Sequence, residues 1–94
     1  MKSRNLKSKA YMKAKKNILI PLFVDKGITQ CELRFKGCFV GFFLAFAHKK
    51  KRRDYSSLEE LTEFNEVIVA CQHCHNIIEH DRELTEKEFR RLRP

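Results

Sequence analysis

No apolar run in this 94-residue chain is long enough to cross a bilayer. The longest, Phe39 to Ala47, has nine residues, where a spanning helix needs about 20. The stretch Met1 to Lys16 has no apolar core. The run Ile18 to Val24 comes late, is short and ends at Asp25 without a small-residue cleavage site, so it does not read as a signal peptide. An internal repeat and a Ser/Gly/Pro-rich linker are also missing, and one domain over residues 1–94 is expected. Acidic residues are in deficit: 12 Asp and Glu stand against 20 Lys and Arg, for a formal charge of +8. The excess falls in two blocks. Lys2, Arg4, Lys7, Lys9, Lys13, Lys15 and Lys16 form one, and Lys49, Lys50, Lys51, Arg52 and Arg53 the other. Such blocks imply a polyanion partner, DNA or RNA; the alternative is a basic face that is merely solvated. A cytoplasmic, intracellular chain with no membrane partner is the expectation.

A chain of this size buries a modest core and often recruits a metal or disulfides. Its four cysteines are Cys31, Cys38, Cys71 and Cys74. In a reducing compartment paired cysteines are more often metal ligands than disulfides, so a structural Zn²⁺ is expected over two bridges. Cys71-x-x-Cys74 presents two sulfurs to one ion with little backbone strain. Six residues separate Cys31 from Cys38, which demands a longer loop folded back through Gly37. The alternative for that pair is two small buried hydrophobes.

The coarse order of elements predicts a small α+β fold. Leu6 to Lys26 reads as helical with Gly27 as its stop, a buried stripe of Ile18, Leu19, Leu22 and Phe23, and a kink or two helices meeting near Ile20 because Pro21 cannot donate. Phe39 to Ala47 has the composition of a buried strand, and Glu66 to Ala70 of a second. Between them Lys49 to Asn65 reads as a long loop, with a capping box at Ser57-Leu-Glu-Glu60 marking a short helix. Gln72 to His80 reads as a helix carrying Ile77 and Ile78. A last helix is expected from near Thr85, with Glu88 completing a second capping box, through Arg93.

The phrase Ala70-Cys-Gln-His-Cys-His-Asn-Ile-Ile-Glu79, preceded by Ala47-His-Lys-Lys-Lys-Arg-Arg53 and by the pair Cys31 and Cys38, resembles the HNH endonucleases, small phage-encoded members in particular. The resemblance covers about Cys31 to His80. It implies a ββα-metal core over 29–80, stapled by a four-cysteine zinc site, with a basic helical segment over 1–28 and a helix over 81–94. It implies further that His48, at the end of the first strand, activates water, and that His75 helps hold a catalytic divalent ion such as Mg²⁺ or Mn²⁺. Glu79, one turn beyond His75 on the same helix face, is an additional ligand or an orienting group, and His80, offset from that face, is a weaker candidate. Adjacent helical residues point about 100° apart, so one helix can send Cys74 to the zinc and His75 to the second metal; His73 then falls on the surface. Asn65 is taken as the middle residue of the signature, which orders the loop holding His48. It lies six residues before Cys71, where the family places an Asn five before, at Glu66 here. The family also places a metal-binding Asp or His directly before the base. That position is Ala47, so the metal is held by fewer protein ligands with water completing the shell, or the site has decayed. Lys49, Lys50, Lys51, Arg52 and Arg53 would meet the phosphates flanking the cut, the arginines being suited to bidentate contacts.

Two functions therefore stand beside each other. One is a metal-dependent HNH endonuclease hydrolysing DNA phosphodiester bonds, with room for a protein partner such as phage packaging machinery. The other is a catalytically inactive zinc-stapled nucleic-acid-binding module. A secreted disulfide-rich toxin accounts for the cysteine count but for neither the N-terminal segment nor the additional histidines.

Overall fold

Two short strands, β1 (Leu44–His48) and β2 (Val67–Cys71), pair antiparallel with Leu44 opposite Cys71, Phe46 opposite Val69 and His48 opposite Val67. The chain is described by a computed structural model over residues 9–51 and 54–94. One helix, α1, runs from residue 9 through Lys15–Leu19 and Ile20–Asp25. Then come β1, α2 (Leu58–Leu61), a 3₁₀ turn (Phe64–Glu66), β2, α3 (Gln72–Glu79) and α4 (Arg82–Leu92). Strand, loop, strand and helix follow in the expected order, in a small α+β fold. No described helix is long and apolar enough to cross a membrane.

Side chains alternate across a strand, and the sheet uses both faces. Val67, Val69 and Phe46 pack with Leu19 and Phe23 of α1 and with Leu61. Ala47, Ile68 and Ala70 pack with Ile78 of α3 and Phe89 of α4, joined by Leu33 and the cysteines. All five positions of β2 are buried, whereas β1 is fully buried at Ala47 alone. The sheet is thus sandwiched, with β2 at its centre.

Three elements refine or depart from expectation. First, two helical types meet at Ile20, just before Pro21, where a kink or a junction of two helices is expected. Residues Lys15–Leu19 form a π turn immediately before it, in which the Ile20 amide donates to the Lys15 carbonyl. A widened turn accommodates a residue that cannot donate and whose ring crowds the carbonyl four residues back. It leaves Leu19 and Phe23 buried and Leu22 partly so, but turns Ile18 outward. Gly27, at φ +75°, ends the helix as expected.

Second, only the latter half of Phe39–Ala47 is strand. Phe39, Val40, Phe42 and Phe43 lie in an exposed loop, with Val40 and Phe43 at positive φ. Third, α4 starts earlier than Thr85. Asp81 is its N-cap and accepts the Leu84 amide at 3.0 Å. Thr85 is buried inside the helix, and its hydroxyl donates to the carbonyls of Ile78 and Asp81. The Ser57 cap is as expected, accepting the Glu60 amide, but the Glu60 carboxylate reaches Ser56 rather than Ser57.

The C-terminus closes the fold. The Arg93 guanidinium, 4% exposed, lies 2.8 Å from the Glu32 carboxylate, donates to the carbonyls of Phe64 and Val67, and covers the Phe64 ring at 3.8 Å. Glu32 in turn takes the Val69 amide through its carboxylate and gives its own amide to the Val69 carbonyl. This pair seals the edge of β2. Removing one partner strands a buried charge, so Arg93→Ala is expected to cost about 3–5 kcal/mol of stability. A urea midpoint close to that of the parent protein would contradict this.

Candidate functional site

The four cysteines converge where β2 enters α3. Cys71 is the last residue of the strand and the N-cap of the helix, its sulfur accepting the Cys74 amide at 3.5 Å. Cys74 follows in the first turn. The loop carrying Cys31 and Cys38 folds back over this corner. Arg34 sits at φ +56° and Gly37 at φ +87°, so two left-handed residues close the wide spacing. A side chain at Gly37 would also meet the His73 ring, with Nε2 2.8 Å from an added Cβ. His73 is therefore not a plain surface residue. It is partly buried, and its Nε2–H donates to the Lys36 carbonyl at 2.8 Å, which fastens the loop to α3.

All four Sγ atoms lie within 4.8 Å of one another, and none is in a disulfide. Cys38 and Cys71 stand 3.7 Å apart, far beyond the roughly 2.05 Å of an S–S bond. Thiolates on a tetrahedral ion with bonds of about 2.3 Å would be about 3.8 Å apart. The cluster can thus hold one metal ion. Further amides aim at the sulfurs, from Phe39 to Cys71 at 3.4 Å and from Val40 to Cys38 at 3.2 Å. Burial opposes ionisation of Cys71, but the amides of Cys74 and Phe39 outweigh it and bring that thiol down to about 6. Burial pushes Cys38 and Cys74 up. Four adjacent thiolates would repel one another, so a cation among them would stabilise the cluster.

A second site lies at the other end of β1 and α3. A cleft of 730 Å³ opens between α1, the end of β1, and α3 with the start of α4. His48, His75, Glu79 and His80 line it, as do Lys50 and Lys51. Adjacent residues on α3 serve different sites, Cys74 in the sulfur cluster and His75 in the cleft. Lys49 contributes its carbonyl, which accepts the Arg82 guanidinium at 2.8 Å. Arg52 and Arg53 lie outside the described residues.

His48 is held closely. Its Nε2–H donates to the Leu61 carbonyl at 3.0 Å, which orients the ring. Tyr11 and Tyr55 meet the ring edgewise at 5.6 and 5.9 Å. The Tyr55 hydroxyl donates to Glu66 and accepts the Lys50 amide, each at 3.1 Å. Burial, with the Glu66 carboxylate nearby, pushes that phenol up to about 12, so it stays a donor. Tyr55 thereby ties Lys50 to Glu66 beside the His48 ring. Asn65 is exposed on the 3₁₀ turn and is not among the residues lining the cleft. Its neighbour Glu66 is the residue tied to the His48 surroundings.

His75 Nδ1 is buried and without a hydrogen-bond partner among the described residues, 3.8 Å from the Glu79 carboxylate. An orphaned buried nitrogen beside a carboxylate suits a bound cation. Among the described residues, however, the four cysteines are the only group of three or more donors close enough to share a metal. Lys15 of α1 and Arg82 of α4 also line the cleft. Lys15 belongs to a basic block visible in the sequence, whereas nothing local marks Arg82, which α4 brings in from outside the motif.

No family model, curated protein or solved structure matches this chain.

Proposed function

We propose that this chain is a metal-dependent endonuclease of the HNH type that hydrolyses DNA phosphodiester bonds, with Zn²⁺ as the structural ion of the four cysteines. The observation that carries the reading is the meeting, in one basic cleft, of His48, oriented by the Leu61 carbonyl, with the orphaned His75 nitrogen beside Glu79. Hydrolysis needs a base for water, positive charge on the phosphate and groups that position both. His48 takes the proton from water. Lys15, Lys50, Lys51 and Arg82 hold the phosphates on either side of the reacting one. His75 and Glu79 would hold a Mg²⁺ or Mn²⁺ whose remaining ligands are water, and the ion would supply charge stabilisation at the scissile phosphate.

The alternative, a zinc-stapled binding module without catalysis, is favoured by one observation. Ala47, in the slot where the family places a metal-binding Asp or His, is buried in the core on the α3 side. Supercoiled plasmid incubated with Mg²⁺, Mn²⁺, Ni²⁺ or Zn²⁺ separates the two. Metal-dependent nicking or linearisation that vanishes in His48→Ala supports the enzyme; retarded but uncut plasmid in every metal supports the binder.

Either reading has the basic run bind phosphates. Replacing Lys49, Lys50 and Lys51 by Gln is expected to weaken binding to all DNA sequences alike. The slope of log K against log salt should fall by about 0.9 for each phosphate no longer neutralised. A weakening confined to one sequence would instead mean that these lysines read bases.

A further inference from the structure

The loop between Cys38 and β1 displays apolar rings to solvent and yet is firmly built. Phe42 and Phe43 are 73% and 75% exposed. The Phe39 and Val40 amides bond to cysteine sulfurs, the Val40 carbonyl accepts the Cys31 amide at 2.7 Å, and the Phe43 carbonyl accepts the Gln72 amide at 2.8 Å. Val40 and Phe43 are held at φ +60° and +53°, a region unfavourable for branched and bulky residues. Strain maintained by surrounding bonds points to use of what the strain displays. The rings also form a ladder. His73 meets Phe39 at 5.8 Å, Phe39 meets Phe43 at 5.7 Å, and the ladder ends at the exposed Phe43.

We propose that Phe43, with Phe42 beside it, is a stacking platform for an unpaired base of the nucleic acid whose phosphates occupy the cleft. The inference rests on the nucleic-acid part of the function proposed above. Phe42 and Phe43 carry no charge that would select a phosphate, whereas aromatic faces accept any base. The excess of cations, +8 over the chain, selects a polyanion over a basic or neutral protein surface. Position agrees. β1 leads directly from Phe43 to His48, five residues at about 3.4 Å each, or about 17 Å. A strand with its phosphate at His48 therefore reaches the platform within about five nucleotides at about 3.4 Å each.

The test is fluorescence anisotropy of the full zinc-loaded chain with a labelled single-stranded 20-mer of mixed sequence, without added Mg²⁺ or Mn²⁺. The double variant Phe42→Ala, Phe43→Ala is expected to bind about tenfold to a hundredfold more weakly. Its salt slope should be unchanged, because every cation that neutralises a phosphate is still present, and Phe42→Tyr, Phe43→Tyr should bind as the parent does. Circular dichroism matching the parent establishes that the alanine variant is folded. Equal affinity of alanine variant and parent overturns the proposal. So does a weakening that the tyrosine variant shares, or sedimentation showing a parent dimer that the alanine variant abolishes, which would give the rings to a second copy. Plasmid cleavage with unchanged oligonucleotide affinity in the alanine variant removes the platform alone; the expected fall in affinity in a protein that cuts nothing removes the nuclease alone.

Discussion

Stripping the proposed Zn²⁺ with a strong chelator is expected to unfold the domain, not merely to silence it. The cysteines come from two segments far apart in sequence, 33 residues between Cys38 and Cys71. Cys31 and Cys38 belong to an irregular loop, while Cys71 and Cys74 form the corner between β2 and α3. Cys31, Cys71 and Cys74 are also members of the core on the α3 side, so removal of the ion leaves up to four thiols to repack where a bonded cluster stood. Structural zinc contributes an apparent 10–16 kcal/mol of binding free energy in small zinc-dependent folds, against a total stability of about 5–15 kcal/mol for ordinary domains. A chain with a core this small cannot be expected to retain its fold after such a loss. Elemental analysis should give one zinc per chain, and chelation should abolish the far-UV helical signal and the cooperative melt. Cys74→Ser should be as damaging as chelation, since serine supplies no thiolate. An unchanged melt after complete metal removal would end the structural role, and resistance of all four thiols to alkylation in denaturant without reductant would point back to disulfides.

Much of the site is legible in the chain because its chemistry is local. The Cys71-x-x-Cys74 spacing places two sulfurs on one helical turn, and the step to His75 turns the next side chain toward the cleft. The apolar pattern of Val67 to Ala70 reads as a strand because β2 is buried on both faces. The same kind of signal misleads at Phe39 to Phe43, where an apolar aromatic run is a loop. Propensity favours strand there, but bonds from the cysteine sulfurs and from Cys31 and Gln72 hold Val40 and Phe43 in left-handed conformations that no local pattern announces. Thr85 and Glu88 mimic a capping box although the helix already begins at the Asp81 cap. The Glu32 and Arg93 clamp joins residues 61 apart in sequence, and charged residues in a basic chain ordinarily read as surface. Asn65 illustrates the limit of counting. Position alone offers Asn65 or Glu66; the fold shows Asn65 exposed on the 3₁₀ turn and Glu66 accepting the Tyr55 hydroxyl.

His48→Ala is expected to lower plasmid cleavage by about 10² to 10⁴-fold, the span for losing a general base, with DNA affinity close to that of the parent. The geometry gives a reason for both halves. His48 is at the strand end with its Nε2–H donated to Leu61, which orients the ring. In the proposed reading the phosphates would be held instead by Lys15, Lys50, Lys51 and Arg82, which line the same cleft. Tyr55→Phe supplies an internal comparison. It keeps the ring edge against His48 but removes the hydroxyl that joins Glu66 to the Lys50 amide. Cleavage should therefore fall less than in His48→Ala, by about tenfold, while the metal requirement persists. If both variants cut as the parent does, His48 is not the base. If Tyr55→Phe is as inactive as His48→Ala, the 49–66 segment does more than orient the ring, because a merely loosened histidine still accepts a proton whereas an alanine never can.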